Sequence, residues 1–136
     1  VLSFSHFIAC GHSVGGGMAV GAASIYPKQC KAVITMGAQA YVEDCTIAGI
    51  LKARDRFRDT DALERLARFH GDKTRWVVDA WIDTWLDPAF TDWSLDWALD
   101  GVECPVLAIH GESDEYGSAE HAKLIAGAKG RAVILP

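Results

Sequence analysis

The sequence predicts an α/β fold with a mostly parallel sheet of about four strands, flanking helices and a helical insertion. Three observations carry this. Four short apolar runs are separated by helical segments, the middle of the chain lacks strand signals, and a glycine-rich turn joins the first run to a helix. The runs are Phe7 to Cys10, Ala32 to Met36, Val106 to His110 and Ala132 to Leu135. They are nearly continuous rather than alternating, which predicts strands buried on both faces.

The first helix is expected over Val14 to Ile25, halted by the restriction that Pro27 places on the residue before it. The last is expected to start after Ser118 as N-cap and to run to about Ala126, with Gly127 and Gly130 as stop signals. On this reading residues 1–44 form one part of the core, residues 45–100 a helical lid or cap, and residues 101–136 the rest of the core. Inside the insertion, Asp61 with Glu64 predicts a helix start. Leu63, Leu66, Ala67 and Phe69 mark its apolar face and Gly71 its end. Asp72 is expected to cap a second helix bearing Trp76, Trp81 and Trp85, broken at Asp87-Pro88. A third, short helix would hold Trp93 and Trp97. Aromatic stripes at helical spacing usually weld a layer to the core, which leaves one or two of these tryptophans to line a pocket. Lys52, Arg54, Arg56 and Arg58, with Asp55 and Asp59 between them, read as a solvated face.

The chain has 136 residues, with 13 Lys and Arg against 18 Asp and Glu and a net charge of −5. That balance offers no electrostatic footprint for nucleic acid or an anionic membrane, so the expected partner is a small-molecule substrate. The longest weakly polar stretch, Val14 to Ile25, is too short to span a bilayer. No secretory signal is visible. Val1 in place of Met predicts that the start is missing. Cys10, Cys30, Cys45 and Cys104 make no C-x-x-C pair, which predicts reduced, mostly buried thiols in a cytoplasmic protein. The count leaves room for one structural disulfide.

The chemistry-bearing segment is Gly11-His12-Ser13-Val14-Gly15-Gly16-Gly17. It is a G-x-S-x-G string placed between a strand and a helix, the context this motif requires. Such a turn puts the serine in strained dihedrals and lifts its hydroxyl above the sheet. Gly11 and Gly15 are expected to keep side chains out of the close strand–helix approach. The N–H of Val14, at the helix N-terminus, would face an oxyanion formed on attack. A serine needs a base, and the base needs an orienting acid. The acid is expected at the carboxyl end of another strand, and the run Val106 to His110 leads into Gly111-Glu112-Ser113-Asp114-Glu115-Tyr116-Gly117.

These two segments resemble the hallmark motifs of the α/β-hydrolase fold enzymes with a serine nucleophile. The resemblance implies Ser13 as nucleophile, Val14 as oxyanion donor and Asp114 as acid, with Glu112 as the second choice. It implies that His12, in the nucleophile turn, points away from Ser13 and packs beside the sheet. His110 reads as a hydrogen-bonded structural residue, and His6, His70 and His121 have no motif support. The catalytic histidine of such enzymes would follow the last strand, beyond Pro136, and the second oxyanion donor would precede Val1. The resemblance therefore implies the second half of a longer fold, inactive alone, with its helices on one sheet face and its first strand at an edge.

The implied function is a cofactor-free and metal-free serine hydrolase acting on a small ester- or amide-type carbonyl substrate through an acyl-enzyme. Carboxylesterase, lactonase, thioesterase, amidase, carbon–carbon hydrolase and haloperoxidase chemistry all stay open. The alternative is a non-catalytic binding or receptor-like protein on the same scaffold. A dinucleotide-binding domain fits poorly, because Gly15-Gly16-Gly17 lacks G-x-G-x-x-G spacing.

Overall fold

The computed structural model describes residues 5–127 and 130–136. In chain order its elements are β1 (Phe7–His12), α1 (Val14–Ile25), β2 (Cys30–Met36), α2 (Asp44–Arg56), α3 (Thr60–His70), α4 (Thr74–Leu86), α5 (Asp96–Leu99), β3 (Val106–Gly111), α6 (Glu120–Ala126) and β4 (Gly130–Leu135). They fall into two compact units: Val1–Tyr41 with Ser94–Pro136, and Val42–Trp93. Among the described residues no helix is long and apolar enough to cross a membrane.

The first unit holds a four-stranded sheet in the order β1-β2-β3-β4, parallel throughout. His12 is in register with Met36, Met36 with Ile109, and Ile109 with Val133, so the carboxyl ends of all four strands form one rim. Strands laid side by side in chain order, joined by right-handed crossovers, put the helices of this unit that pack on the sheet, α1 and α6, on the same face. Burial follows that rule. Val33, Thr35, Val106, Ala108 and His110 point to the covered face and are buried. Their neighbours Ile8, Cys10 and Met36 are exposed, and Ile34, Leu107 and Ile109 are half-buried. The continuous apolar runs predicted burial on both faces. Burial instead alternates, because helices are present over only one.

Helix α1 runs over Val14–Ile25 and ends with the N–H of Tyr26 on the Ala22 carbonyl at 3.0 Å. Four of its twelve residues are glycine. Each costs roughly 1 kcal/mol against alanine in a helix interior, so packing holds this helix more than propensity does. A Cβ on Gly16 would stand 2.6 Å from the Cβ of Ala38, and one on Gly21 3.3 Å from the Trp97 ring. Trp97 belongs to this unit. The sequence grouped it with the insertion's tryptophans, but α5 returns against α1, where glycines leave room for an indole.

The second unit is three helices and two 3-10 turns, at Gly71–Lys73 and Pro88–Phe90. Helix α3 is capped by Asp59, whose carboxylate accepts from the Asp61 N–H at 3.0 Å. Asp61 itself lies one residue inside the helix. Its buried stripe is Ala62 flanked by half-buried Leu63 and Leu66, whereas Ala67 and Phe69 are exposed. Gly71 ends the helix at φ 53, as its sequence signal implied. Asp72 caps nothing: the chain makes a 3-10 turn over Gly71–Lys73, and the Thr74 hydroxyl donates to the Gly71 carbonyl at 2.6 Å. Trp85, Phe90 and Trp93 pack together, with Phe90 stacked on Trp93 at 5.3 Å and Trp85 edge-on to both. Trp76 is 69% exposed. The charged run from Lys52 to Asp59 lies along α2 and its end, solvated, with Arg58 3.3 Å from Asp55.

Candidate active site

Ser13 stands between β1 and α1 with φ 52 and ψ −125, the only described non-glycine residue at positive φ. A side chain held there costs on the order of 1–3 kcal/mol, which the surroundings must over-determine. They do so from both sides. The Ser13 N–H donates to the Met36 carbonyl at 2.9 Å, extending the β1–β2 ladder one step past the strand. The Ser13 carbonyl accepts from the N–H groups of Gly16 at 2.8 Å and Gly17 at 3.4 Å, starting the helix. A serine preceding a helix normally caps it with its hydroxyl. Here the turn rotates the side chain away and it makes no capping bond, which leaves the oxygen uncommitted.

With Gly16 and Gly17 bonded to Ser13, the N–H groups of Val14 and Gly15 have no intrahelical acceptor and emerge from the positive end of α1. The turn's glycines act differently from the expectation. A Cβ on Gly11 would stand 2.6 Å from the Gly16 nitrogen, so that position has to be bare. A Cβ on Gly15 would meet nothing within 4 Å, and the second compulsory glycine is Gly16, pressed against Thr35 and Ala38. The triple-glycine run hid which member mattered.

The acid turn leaves the same rim. Asp114 Oδ1 accepts from the Tyr116 N–H at 2.8 Å, closing an aspartate turn. Oδ2 lies 3.7 Å from His110 Nε2, and that nitrogen is 3.0 Å from the Gly117 carbonyl. His110 is buried at the end of β3, braced as expected. Gly117 is packed so tightly that a Cβ would stand 2.6 Å from His121 Cδ2. His121, without a motif to flag it, is fully buried, accepts the Ala40 N–H on Nδ1 at 3.2 Å, and lies 4.6 Å from the Tyr41 ring. Thus β2, the acid turn and α6 are keyed together under Asp114. Thr35 Oγ1 and His110 Nδ1 are buried with no hydrogen-bond partner among the described residues.

Gly37 joins the two halves of the rim. It follows β2 at φ 54, donates its N–H to the Ile109 carbonyl at 2.9 Å, and has no side chain. A Cβ there would lie 3.5 Å from Asp114 Oδ2 and 3.6 Å from His12 Nε2. His12, expected to pack beside the sheet, is instead exposed at the end of β1, with its ring over Gly37 on the side of the carboxylate. Glu112 donates its N–H to the Leu135 carbonyl at 2.7 Å, and its side chain is exposed. His6 is exposed beside Ser5, and His70 ends α3 in the second unit.

No protein-family model and no curated protein sequence matches the chain. Solved structures do. A serine hydrolase involved in carbazole degradation, CarC, superposes with a TM-score of 0.67 at 17% identity, over 99% of this chain and 57% of that one. The enol-lactonase of Burkholderia xenovorans LB400 gives 0.58 at 21%, over 96% and 57%. An α/β fold family hydrolase from Bacillus anthracis str. Sterne gives 0.67 at 14%, over 98% and 60%. The chain thus spans little more than half the length of the solved structures it resembles. Its parallel sheet and these likenesses converge: the chain has the fold of the part of these α/β-hydrolases that it covers.

Proposed function

We propose that the chain carries the nucleophile and the acid of a serine hydrolase cleaving a small ester- or amide-type carbonyl substrate. One observation carries this reading: a non-glycine residue held at φ 52 and ψ −125, with its hydroxyl excluded from capping the helix it precedes. Strain of that kind persists where it serves a site. The solved proteins with this fold described as a serine hydrolase and an enol-lactonase support the same class of reaction.

In the proposed reaction the Ser13 oxygen attacks the substrate carbonyl while a base takes its proton. The resulting oxyanion is held by the N–H of Val14 at the positive end of α1. The proton passes to the leaving group, an ester forms on Ser13, and water releases the acyl group with the same base assisting. Asp114 orients that base and stabilises it when protonated. We assign the base to a histidine outside residues 1–136. His110 and His121 are buried under the acid turn and committed to the Gly117 carbonyl and the Ala40 N–H.

Labelling with a fluorophosphonate probe tests the reading in the protein that includes the base. Modification of Ser13, lost in Ser13→Ala, supports it. A protein that binds small esters without turning them over or being labelled at Ser13 is instead the receptor-like alternative.

A further inference from the structure

Two thiols of the first unit take no part in the site above. Cys30 opens β2 and Cys104 lies two residues before β3, and both are buried, at 2% and 8% exposure. Their sulfurs are 3.8 Å apart: Cys104 donates to Cys30 Sγ, and Cys30 donates to the Ala32 carbonyl at 3.3 Å. A disulfide needs about 2.05 Å, so modest side-chain rotations close the gap. The sheet keeps the pair together, because the Val33 N–H bonds the Pro105 carbonyl at 3.0 Å and Val33 is in register with Val106. The β2–β3 ladder thus holds the two backbones side by side.

Cys104 also lines a groove of about 480 Å³, together with Val102, Val106 and Leu124. Two carboxylates border it, Asp96 from α5 and Asp100 just after it, while α6 contributes the apolar Leu124 and Ile125. The groove therefore gives small molecules a route to a thiol that is otherwise shielded, and the charged side chains among its described lining residues are both carboxylates, which oppose anions.

We propose that Cys30 and Cys104 form an oxidisable dithiol, reached through this groove and converted to a Cys30–Cys104 disulfide by small neutral or cationic disulfides. The Cys104 thiolate attacks one sulfur of the external disulfide, breaking its S–S bond and releasing one thiolate. The Cys30 thiolate then attacks the Cys104 sulfur, forming the internal bond and releasing the second thiolate. The two protons given up by the cysteines end on the two released thiols. The protein loses two electrons, and the external disulfide gains them. Burial, and then the bond to Cys30, push the Cys104 thiol up, so the reaction quickens as pH rises. The new bond ties the start of β2 to the entry of β3, the two ends of the connection that contains the whole second unit.

The test treats the protein with cystamine, a dication, or with oxidised glutathione, an anion, followed by alkylation and peptide mapping. The expected result is one linked Cys30–Cys104 peptide pair lacking two hydrogens. Cystamine is expected to react about threefold or more faster than oxidised glutathione, and faster at about pH 9 than at about pH 7. The double variant Cys10→Ser/Cys45→Ser should behave identically, and Cys104→Ser should leave Cys30 alkylatable after denaturation. The proposal is overturned if Cys10 and Cys45 are oxidised while Cys30 and Cys104 stay free, if all pairs form indiscriminately, or if oxidised glutathione reacts faster.

Discussion

His110 Nε2 stands 3.7 Å from Asp114 Oδ2 and 3.0 Å from the Gly117 carbonyl, so one ring nitrogen spans the acid turn. A carbonyl only accepts, which fixes the proton on Nε2. The imidazole is thus a strut that holds the loop shut between Gly111 and Gly117. Replacing it with alanine leaves a cavity and an orphaned carbonyl. His110→Ala is expected to cost about 2–4 kcal/mol in urea unfolding. An unchanged midpoint would show that the turn stands without it.

In the proposed reaction Ser13 couples strain to chemistry, and two substitutions separate them. Ser13→Ala keeps a Cβ at φ 52 and removes the hydroxyl, so stability should hold while kcat of the complete enzyme falls about a thousandfold or more. Ser13→Gly removes the strain as well, and the protein should gain about 1 kcal/mol or more. Loss of stability in Ser13→Gly would contradict the strained turn.

Asp114→Asn preserves an oxygen for the Tyr116 N–H and removes the charge. Folding should be nearly unaffected while turnover drops by about three to four orders of magnitude. Glu112→Gln, altering an exposed side chain whose backbone does the structural work, should leave turnover within about twofold. The reverse ranking in a steady-state assay would move the acid to Glu112.

The glycines of the Ser13 turn make a sharper contrast. Gly11→Ala pushes a methyl into the Gly15–Gly16 backbone and should unfold the turn, at a cost of several kcal/mol or about 3 and upward. Gly15→Ala meets open space in a helix and should stabilise by up to about 1 kcal/mol. Denaturation midpoints of the pair decide it.

The uncovered sheet face exposes Ile8 at 62% and Met36 at 38%, and α1 shows Val14 at 74%, Met18 at 70% and Ile25 at 62% along one stripe. Apolar area of that kind invites association. Residues 1–136 alone are expected to bind a hydrophobic dye and to self-associate, and the double change Ile8→Thr/Met18→Gln should reduce both. A dye-silent monomer in light scattering would contradict this.

Much of this was legible in the sequence because local chemistry dictates it. Helix α1 occupies the span that the turn before it and Pro27 after it set, and Ser13 takes the backbone that its flanking glycines implied. What escaped depends on distant partners. Asp59 rather than Asp61 caps α3, a choice between two like residues two apart. Trp97 left its neighbours for α1, where the edge of its ring lies over Gly21 while the side chain stays 65% exposed, a contact no local pattern announces. His121 gave no signal at all, since its role is to receive an N–H from 81 residues away. The alternating burial of the strands did not show in the apolar runs themselves, because such a run records that a face can be covered, not that it is; only the resemblance implied helices on one face.

The order of the strands has a bearing on how the molecule is made. Because β1 to β4 lie side by side as they are read, each of these strands after β1 finds its partner already synthesised as it emerges from the ribosome. The sheet can lengthen from one edge with no vacancy held open for a later arrival. Only the step from β2 to β3 must wait for a whole helical unit to pass, and the entropy of closing so long a loop rises only with the logarithm of its length. Vectorial growth thus costs this fold little.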